Sequence, residues 1–313
     1  MLATRCLMTA AAGAVALALA SAAGRAQTYG VASMQPGSIN HTTSSAIAKV
    51  LKEKGGLNAL VQPTAGETVI IAIVGRGEAD FGMANAPEIA TAIGSNEQPN
   101  LRIIGAIYTL KTGFWVRKDS TMRTVADLRG KRVTMGYSAM RALEPLSRAI
   151  LATGGLTEKD IKPEYLKQQQ SVEKLKDGSL DAYFQTTGYP LGTLVELAAT
   201  NGFDLLPIEG EARDKIMAQY KFFAHDRIPD GTYKNVKGVE TISVGAQWVT
   251  SSKQPEALIY EITKALWNDK TRAALDSGHA KGKAIQKSTA LLGIGIPLHP
   301  GAEKFYKEAG LLK

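Results

Sequence analysis

The sequence predicts an α/β protein of two doubly wound α/β lobes joined by two hinge crossings, and a repeated motif is the first observation behind this fold class. GEADFGMAN (77–85) and GSLDAYFQT (178–186) share one order: a glycine after an apolar helical run, an aspartate, a buried strand and a polar residue at its end. Strands and helices alternate around each copy. Two β-rich runs, 101–116 and 241–250, are longer than a typical strand. We therefore place one copy of the motif in each lobe.

Composition is ordinary for a globular chain, and the first 26 residues differ from the rest. The chain has 313 residues, of which 44% are hydrophobic and 21% charged, enough for two domains. Residues 1–26 combine Arg5, an apolar alanine-rich run and small residues before position 27. This pattern predicts a cleaved signal peptide and a periplasmic protein, since the run is short for a membrane anchor. Cys6 falls inside it, so the mature chain has no thiol chemistry.

The net charge of +8 favours acidic solutes or an anionic surface over nucleic acid. Lysine and arginine are scattered among acids, and aromatic residues make up only 6%. We expect no nucleic-acid partner.

The first lobe is predicted to run in the order β, α, β, α, β. The expected elements are strand 29–33, helix 42–54 capped within Thr42–Ser45, strand 57–62, helix 69–75 and strand 79–83, followed by Asn85. Polar segments follow all three strands, and the carboxyl ends of parallel strands share one edge. A loop that enters a helix N-terminus suits an anion, but a plain connecting loop fits equally well, so both interpretations stay open.

The second lobe is predicted to lie between the two long runs, with lobe I at 27–113 plus 247–313 and lobe II at 114–246. Its expected helices are 124–128, a turn capped by Thr157, 142–152, 170–176, 191–200 and 209–219. Its expected strands are 131–135, 162–166, 203–207 and the second copy of the motif, which ends at Thr187. An amphipathic helix at 255–268 and two further helices close the chain.

Arg141 is the charge that most suggests a ligand. It stands where a helix begins, and the helix dipole opposes a guanidinium there, so the side chain needs another partner. A bound carboxylate would supply one. A solvated surface arginine is the alternative.

Sequence signatures of enzymes are lacking, so we predict a protein that is not an enzyme and uses no metal or cofactor. The four histidines show no metal spacing, and no serine-hydrolase, Walker or dinucleotide motif occurs. Asp80 and Asp181 are assigned to turns at the far end of the sheet. Glu67 and Glu144 are assigned to helix starts, where acids suit the dipole.

Five segments of the chain are distinctive: VQPTAG (61–66), GRGEADFG (75–82), VADLRGKRV (125–133), IPDGTY (228–233) and IPLHPGAEKFY (296–306). Through them the mature chain resembles the extracytoplasmic solute receptors of the TAXI type, which serve TRAP transporters and have the periplasmic-binding-protein fold. This resemblance implies a ligand held between the lobes by the loops after the strands.

The resemblance implies twelve ligand-binding positions: Ser33, Met34, Gln35, Ser38, Asn40, Thr64, Asn85, Tyr137, Ser138, Arg141, Thr186 and Thr187. The chain departs from the family where Asn40 and His41 replace a tyrosine pair and Pro87 replaces an aspartate. Residues 137–141 also replace a glycine-serine loop. The lost aspartate implies a weaker seat for an ammonium group, and Met34, Tyr137 and Met140 imply a more apolar organic acid.

The expected function is a monomeric receptor that captures a small organic anion, a carboxylate, by hinge closure and delivers it to the integral membrane subunits of a TRAP transporter. The fold alone does not separate this from a receptor for an ABC or tripartite tricarboxylate system. A secreted enzyme on the same scaffold, or a periplasmic sensor with a different membrane partner, would also fit these features.

Overall fold

The computed structural model describes residues 27–220, 222–278 and 282–313, so the predicted signal peptide lies outside the described residues. The strands are β1 (Thr28–Ser33), β2 (Asn58–Pro63), β3 (Phe81–Asn85), β4 (Leu101–Arg117), β5 (Arg132–Gly136), β6 (Lys162–Tyr165), β7 (Ala182–Thr187), β8 (Phe203–Leu206), β9 (Ala224–Ile228) and β10 (Val239–Ser251). The helices are α1 (Ile39–Gly55), α2 (Glu67–Arg76), α3 (Ala86–Gly94), α4 (Leu143–Thr153), α5 (Gln168–Asp177), α6 (Gly192–Thr200), α7 (Gly210–Gln219), α8 (Glu256–Leu266), α9 (Arg272–Gly278) and α10 (Pro300–Glu308).

Two parallel sets of strands are joined through a shared antiparallel pair. The strand order is β2-β1-β3-β10-β4-β7-β5-β6, with β8 beside β4 and β9 beside β10. We call the part built on β1 to β3 the first lobe and the part built on β5 to β7 the second lobe. Pairing is parallel among β1, β2 and β3 and among β5, β6 and β7. The predicted α/β class is confirmed, and the carboxyl ends of each parallel set share one edge.

Strands β4 and β10 pass from one lobe to the other. Along β4, residues 101–111 pair with β10 and residues 111–116 pair with β7. Along β10, residues 239–243 pair with β9 and residues 243–251 pair with β4. The pairing of β10 with β4 shifts register between Ala246 and Gln247 and again between Trp248 and Val249. The predicted lobe limits at 113/114 and 246/247 stay a prediction.

The repeated motif has the same local structure in both lobes. Gly77 and Gly178 end α2 and α5 with φ of +83° and +80°, a conformation that favours glycine. Asp80 Oδ2 accepts the N–H of Gly30, a residue of β1, at 2.7 Å. Asp181 Oδ2 accepts the N–H of Arg132 at 2.8 Å, at the start of β5. Both aspartates therefore directly precede their strands and bond to the neighbouring strand, away from the strand-end loops.

Helix α1 begins earlier than the sequence predicted. Ser38, rather than a residue within Thr42–Ser45, caps it: Ser38 Oγ accepts the N–H of His41 at 3.1 Å. The sequence prediction also contained neither α3 nor β9. Helix α3 follows β3 without a loop because Asn85 ends the strand and caps the helix, its Oδ1 accepting the N–H of Glu88 at 2.8 Å.

Helices cover both faces of the first-lobe sheet. Ile47 of α1 and Ile259 of α8 are buried on one face, and Ile70 of α2 and Ile89 of α3 on the other. The second lobe adds an aromatic core of Trp115, Tyr183, Tyr189, Phe203 and Tyr233. In the part of the chain that the structure describes, no helix combines the length and apolar character needed to span a bilayer.

Candidate functional site

A small cavity lies between the lobes, where the loops after their parallel strands meet. Its volume is about 30 Å³, far below the roughly 300–1,000 Å³ of sites for organic ligands. The first lobe lines it with Met34, Ser38, Ile39, Asn40, Glu67, Tyr108 and Leu110. The second lobe lines it with Met140, Gln168, Gln185, Thr186, Thr187 and Leu191. The predicted residues at this cavity are thus Met34, Ser38, Asn40, Thr186 and Thr187.

Asn40 anchors the first loop to the sheet. Its Oδ1 accepts the N–H of Met34 at 3.0 Å, and its Nδ2 donates to the carbonyl of Met83 at 2.8 Å. The side chain is buried. The oxygen and the nitrogen of the Asn40 side chain both form hydrogen bonds within the first lobe. Asn40 therefore fixes the shape of this wall of the cavity.

The second lobe contributes the end of β7 to the cavity. Thr186 Oγ1 and Thr112 Oγ1 are 3.0 Å apart in a hydrogen bond, and Gln185 Oε1 accepts the N–H of Thr186 at 3.1 Å. All three residues are buried. This wall is polar and uncharged.

Glu67 brings a buried carboxyl group to the cavity. It is the first residue of α2, but Gly66 holds the cap position and the Glu67 side chain turns into the cleft. Its Oε2 accepts the N–H of Asn85 at 2.6 Å, and the residue is only 4% exposed. Burial raises the pKa of Glu67 to about 8, against the lowering effect of the Asn85 N–H. Interaction with the helix dipole, assigned from the sequence, is therefore not its main role.

Glu88 of the first lobe bonds to the start of α4 in the second lobe. Its Oε2 accepts the N–H of Ala142 at 2.7 Å and its Oε1 the N–H of Arg141 at 3.2 Å. The hydroxyl of Thr68 also donates to it. Burial raises the pKa of Glu88, opposed by these hydrogen bonds. The Glu88 carboxyl group thus accepts the N–H groups of the turn that leads into α4.

Arg141 is paired with an acid of the first lobe. Its guanidinium donates to the two carboxylate oxygens of Glu97 at 2.7 and 3.2 Å. The two side chains are 41% and 45% exposed, and Arg141 does not line the cavity. The partner that the sequence required for this guanidinium is therefore present within the chain.

Three predicted residues stabilise the loops beside the cavity. Ser33 Oγ bonds to His41 Nδ1 at 3.0 Å. Gln35 Nε2 donates to the carbonyl of Thr64 at 2.8 Å, and Thr64 Oγ1 donates to the carbonyl of Gly66 at 3.2 Å. These contacts hold the two first-lobe loops together.

The remaining predicted residues surround the two carboxyl groups. Asn85 caps α3 and binds Glu67 through its N–H. Burial and then the charges of Glu67 and Glu88 raise the pKa of Tyr137, a half-buried residue. Ser138 is exposed.

The residues that sequence reasoning missed lie at helix starts and inside strands. Glu67, Tyr108, Leu110, Gln168 and Gln185 line the cavity without having been predicted. An acid at the first position of a helix, directly after a polar strand end, was a usable signal for Glu67. No sequence signal showed which side of the long run 101–116 faces the cleft, so Tyr108 and Leu110 could not be identified.

No group of three or more histidine, cysteine, aspartate or glutamate side chains is placed to hold a metal ion within residues 27–220, 222–278 and 282–313.

The fold is that of the periplasmic solute-binding proteins. PhnD1 from Prochlorococcus marinus (MIT 9301), in complex with methylphosphonate, superposes with a TM-score of 0.55 at 12% identity, over 92% of this chain and 100% of that one. The amino acid ABC transporter substrate-binding protein AbpA from Streptococcus pneumoniae, bound to L-arginine, gives 0.52 at 16% identity, over 83% and 97%. The alkanesulfonate-binding protein SsuA from Xanthomonas axonopodis pv. citri, bound to MOPS, gives 0.50 at 17%, over 93% and 96%.

The chain belongs to the NMT1-like family, whose sequence model matches residues 37–310. The identities to the solved structures are low, so those structures establish the fold and not the ligand.

Proposed function

We propose that this protein is an extracytoplasmic solute receptor that captures a small molecule between its lobes and delivers it to a membrane transporter. The observation that carries this proposal is the cavity built by strand-end loops of both lobes and closed by Glu88 across the cleft. In open α/β sheets, ligands bind outside the carboxyl ends of the strands. The fold shared with solute-binding proteins agrees with this use.

A cavity of about 30 Å³ is too small to hold an organic solute. The lobes must therefore move apart before a solute can bind between them. Strands β4 and β10 connect the lobes, and the register shifts in their pairing mark a place where the backbone can bend. We propose that the lobes rotate about these two strands.

The test is to release whatever small molecule the purified protein carries, identify it by mass spectrometry and add it back to the stripped protein. Small-angle X-ray scattering should then show a decrease in the radius of gyration on binding. Binding without any change in the radius of gyration would contradict capture by closure.

The proposed membrane partner is a TRAP-type transporter, on the strength of the sequence motifs that resemble TAXI receptors. An ABC-type uptake system is the alternative, because AbpA is a substrate-binding protein of such a system. Co-purification of the receptor with each kind of membrane subunit, followed by a transport assay in proteoliposomes, separates the two. Turnover of the bound solute by the isolated protein would favour the enzyme alternative.

An organic acid is one candidate ligand, favoured by the net charge of +8 and by the helix N-terminus of α4 at the cleft. Two contacts within the chain oppose it. Glu88 binds the N–H groups of the turn just before α4, and Glu97 binds the guanidinium of Arg141. A ligand carboxylate would have to displace one of them.

A further inference from the structure

The cavity between the lobes contains a single carboxyl group and no basic side chain among its described lining residues. Thirteen residues line the cavity in the described structure. Glu67 is the only carboxylic acid among them, and none is lysine or arginine. Tyr108, the other titratable residue of the lining, is an aromatic ring that is 5% exposed. The cavity therefore offers a ligand one carboxyl group and an aromatic surface.

The carboxyl group of Glu67 has no cationic partner among the residues that the structure describes. It accepts a hydrogen bond from the uncharged N–H of Asn85, at 2.6 Å. An ionised carboxylate in such surroundings is unfavourable unless a positive charge accompanies it. Burial accordingly raises the pKa of Glu67 to about 8, so near neutral pH the group holds a proton that a cation could displace.

Two groups near the cleft that could attract an anion are engaged within the chain. The N–H groups of Arg141 and Ala142, just before α4, donate to Glu88, and the guanidinium of Arg141 donates to Glu97. Both acids come from the first lobe, so both interactions form when the lobes meet. An anion inside the cavity would face Glu67 without any compensating cation.

We propose that the ligand carries a positively charged nitrogen group, an ammonium or guanidinium, which binds beside Glu67 and against the ring of Tyr108. A carboxylate and an aromatic ring together stabilise such a cation through a charge-assisted hydrogen bond and a cation–π contact. This inference rests on the proposed receptor function and names the ligand class of the same cavity. From Pro87, which replaces an aspartate of the family, the sequence implied weaker binding of an ammonium group. This inference is the opposite, because Glu67 supplies a carboxylate in place of that aspartate.

The ionisable groups around Glu67 determine how binding depends on pH. Glu88 from α3, Tyr108 from β4 and Tyr137 from the second lobe interact with it electrostatically. Arg141 acts on Glu88, and His41 at the start of α1 bonds to Ser33. The tyrosine pKa values are raised by burial, so both rings stay neutral where Glu67 titrates. Affinity for a cation should therefore rise as pH increases toward 8, with release of a proton.

The experiment compares small probes of opposite charge on the purified protein after its bound solute has been stripped. The cationic probes are methylammonium, 1,5-diaminopentane, choline and L-arginine; the matched neutral and anionic probes are 1,5-pentanediol, formate and glutarate. We expect at least one cation to raise the melting temperature and none of the anions to do so. Calorimetry of that cation in buffers of different ionisation enthalpy should show proton release.

Glu67→Gln keeps the shape of the side chain, and because Glu67 is protonated near neutral pH the variant should fold. It should weaken binding of the cation by about thirtyfold or more. Glu53→Gln, on the outer face of the first lobe, where the acid pairs with Lys49, is the matched control and should bind like the wild type.

The outcomes separate the ligand class from the receptor function. If anions bind and close the lobes, and Glu67→Gln binds them equally well, the receptor function stands and the cationic ligand is wrong. If affinity falls as pH rises through 8, protonated Glu67 donates to the ligand and the proposal is also overturned. If no probe of either charge binds and the protein releases no solute, both proposals fail.

Discussion

At the scale of single residues, two buried acids at the cleft have different partners. Glu67 has an N–H from its own lobe, whereas Glu88 has two N–H groups from the other lobe. The difference follows from position, since Glu67 begins α2 beside the sheet and Glu88 projects from α3 toward α4. One acid is therefore suited to bind a ligand and the other to hold the lobes together.

The buried Glu67 should make the protein less stable as pH rises. Its pKa is raised from 4.5 to about 8 on folding, so between these values the folded protein holds a proton that the unfolded chain releases. The free energy of unfolding then falls by up to about 1.4 kcal/mol per pH unit in this window and levels off above it. Glu67→Gln should lack this contribution.

Urea denaturation of the wild type and of Glu67→Gln, from pH 4.5 to about pH 8, measures the difference between their free energies of unfolding. The variant should become the more stable protein as pH rises. Glu88, whose pKa is also raised, is present in both proteins, so the difference between them reports Glu67 together with its electrostatic coupling to Glu88. Parallel curves for the two proteins would show that Glu67 ionises freely in the fold.

At the scale of elements, the contact between the first lobe and the loop before α4 sets the closed arrangement. Glu88 is almost fully buried in this contact, while the Glu97–Arg141 pair is exposed. Buried charge-assisted hydrogen bonds contribute more than exposed ion pairs, because solvent screens the latter. The two acids therefore provide a matched comparison.

Glu88→Gln should destabilise the closed arrangement by about 2 kcal/mol, through loss of charge-assisted bonds to the N–H groups of Arg141 and Ala142. Glu97→Gln should change it by less than about 1 kcal/mol. The measurement is energy transfer between dyes on cysteines introduced at Glu53 and Glu173, one in each lobe. Equal effects of the two substitutions would place the Glu88 carboxylate outside the closing contact.

Gly66 lies where the second-lobe loop approaches most closely. A Cβ there would come within 2.2 Å of the Ala139 carbonyl oxygen and 2.8 Å of the Ala139 Cβ. The φ of Gly66 is 168°, extended backbone that any residue adopts, so the obstacle is the opposite lobe and not backbone strain. The glycine is required by closure.

Gly66→Ala should weaken ligand binding about tenfold or more while leaving the fold of each lobe intact. Gly94→Ala, at a position where a Cβ meets nothing within 4 Å, is the control. Calorimetric titration with the co-purified solute gives the affinity, and circular dichroism gives the folded content. Unchanged affinity in Gly66→Ala would mean that the loop at Ala139 adjusts without opening the cleft.

At the scale of the whole molecule, the largest apolar core runs through both lobes. It includes Val31 and Phe81 of the first lobe and Val133 and Leu146 of the second. Strands β4 and β10 also belong to the sheet of both lobes. The lobes are therefore coupled through core and backbone.

We expect a single cooperative unfolding transition in spite of the two-lobed architecture. Differential scanning calorimetry should give a calorimetric enthalpy equal to the van't Hoff enthalpy, and a bound solute should move the whole transition upward. Two separated transitions, only one of which responds to the solute, would show that the lobes unfold independently.

Much of this fold could be predicted from the sequence because its signals are local. The glycine caps at Gly77 and Gly178, the polar ends of β1 to β3 and the long crossing runs are each visible over a few residues. Helix α3 was missed because Asn85 ends a strand and caps a helix at once, so no loop separates the two. The start of α1 was misplaced because several hydroxyl residues compete as caps and only the backbone decides among them.

By itself, the sequence determined the alternation of strands and helices, the duplicated turn with its aspartate, and the strand ends where polar loops gather. The pairing across the cleft was decided only in the tertiary structure. Glu97 and Glu88 lie 44 and 53 positions before Arg141 in the chain, yet both form hydrogen bonds with it. No local sequence pattern indicates such contacts. The physical reason is that hydrophobic periodicity and caps act over a few residues, whereas the charge character of a cavity depends on which side chains from separate elements come together.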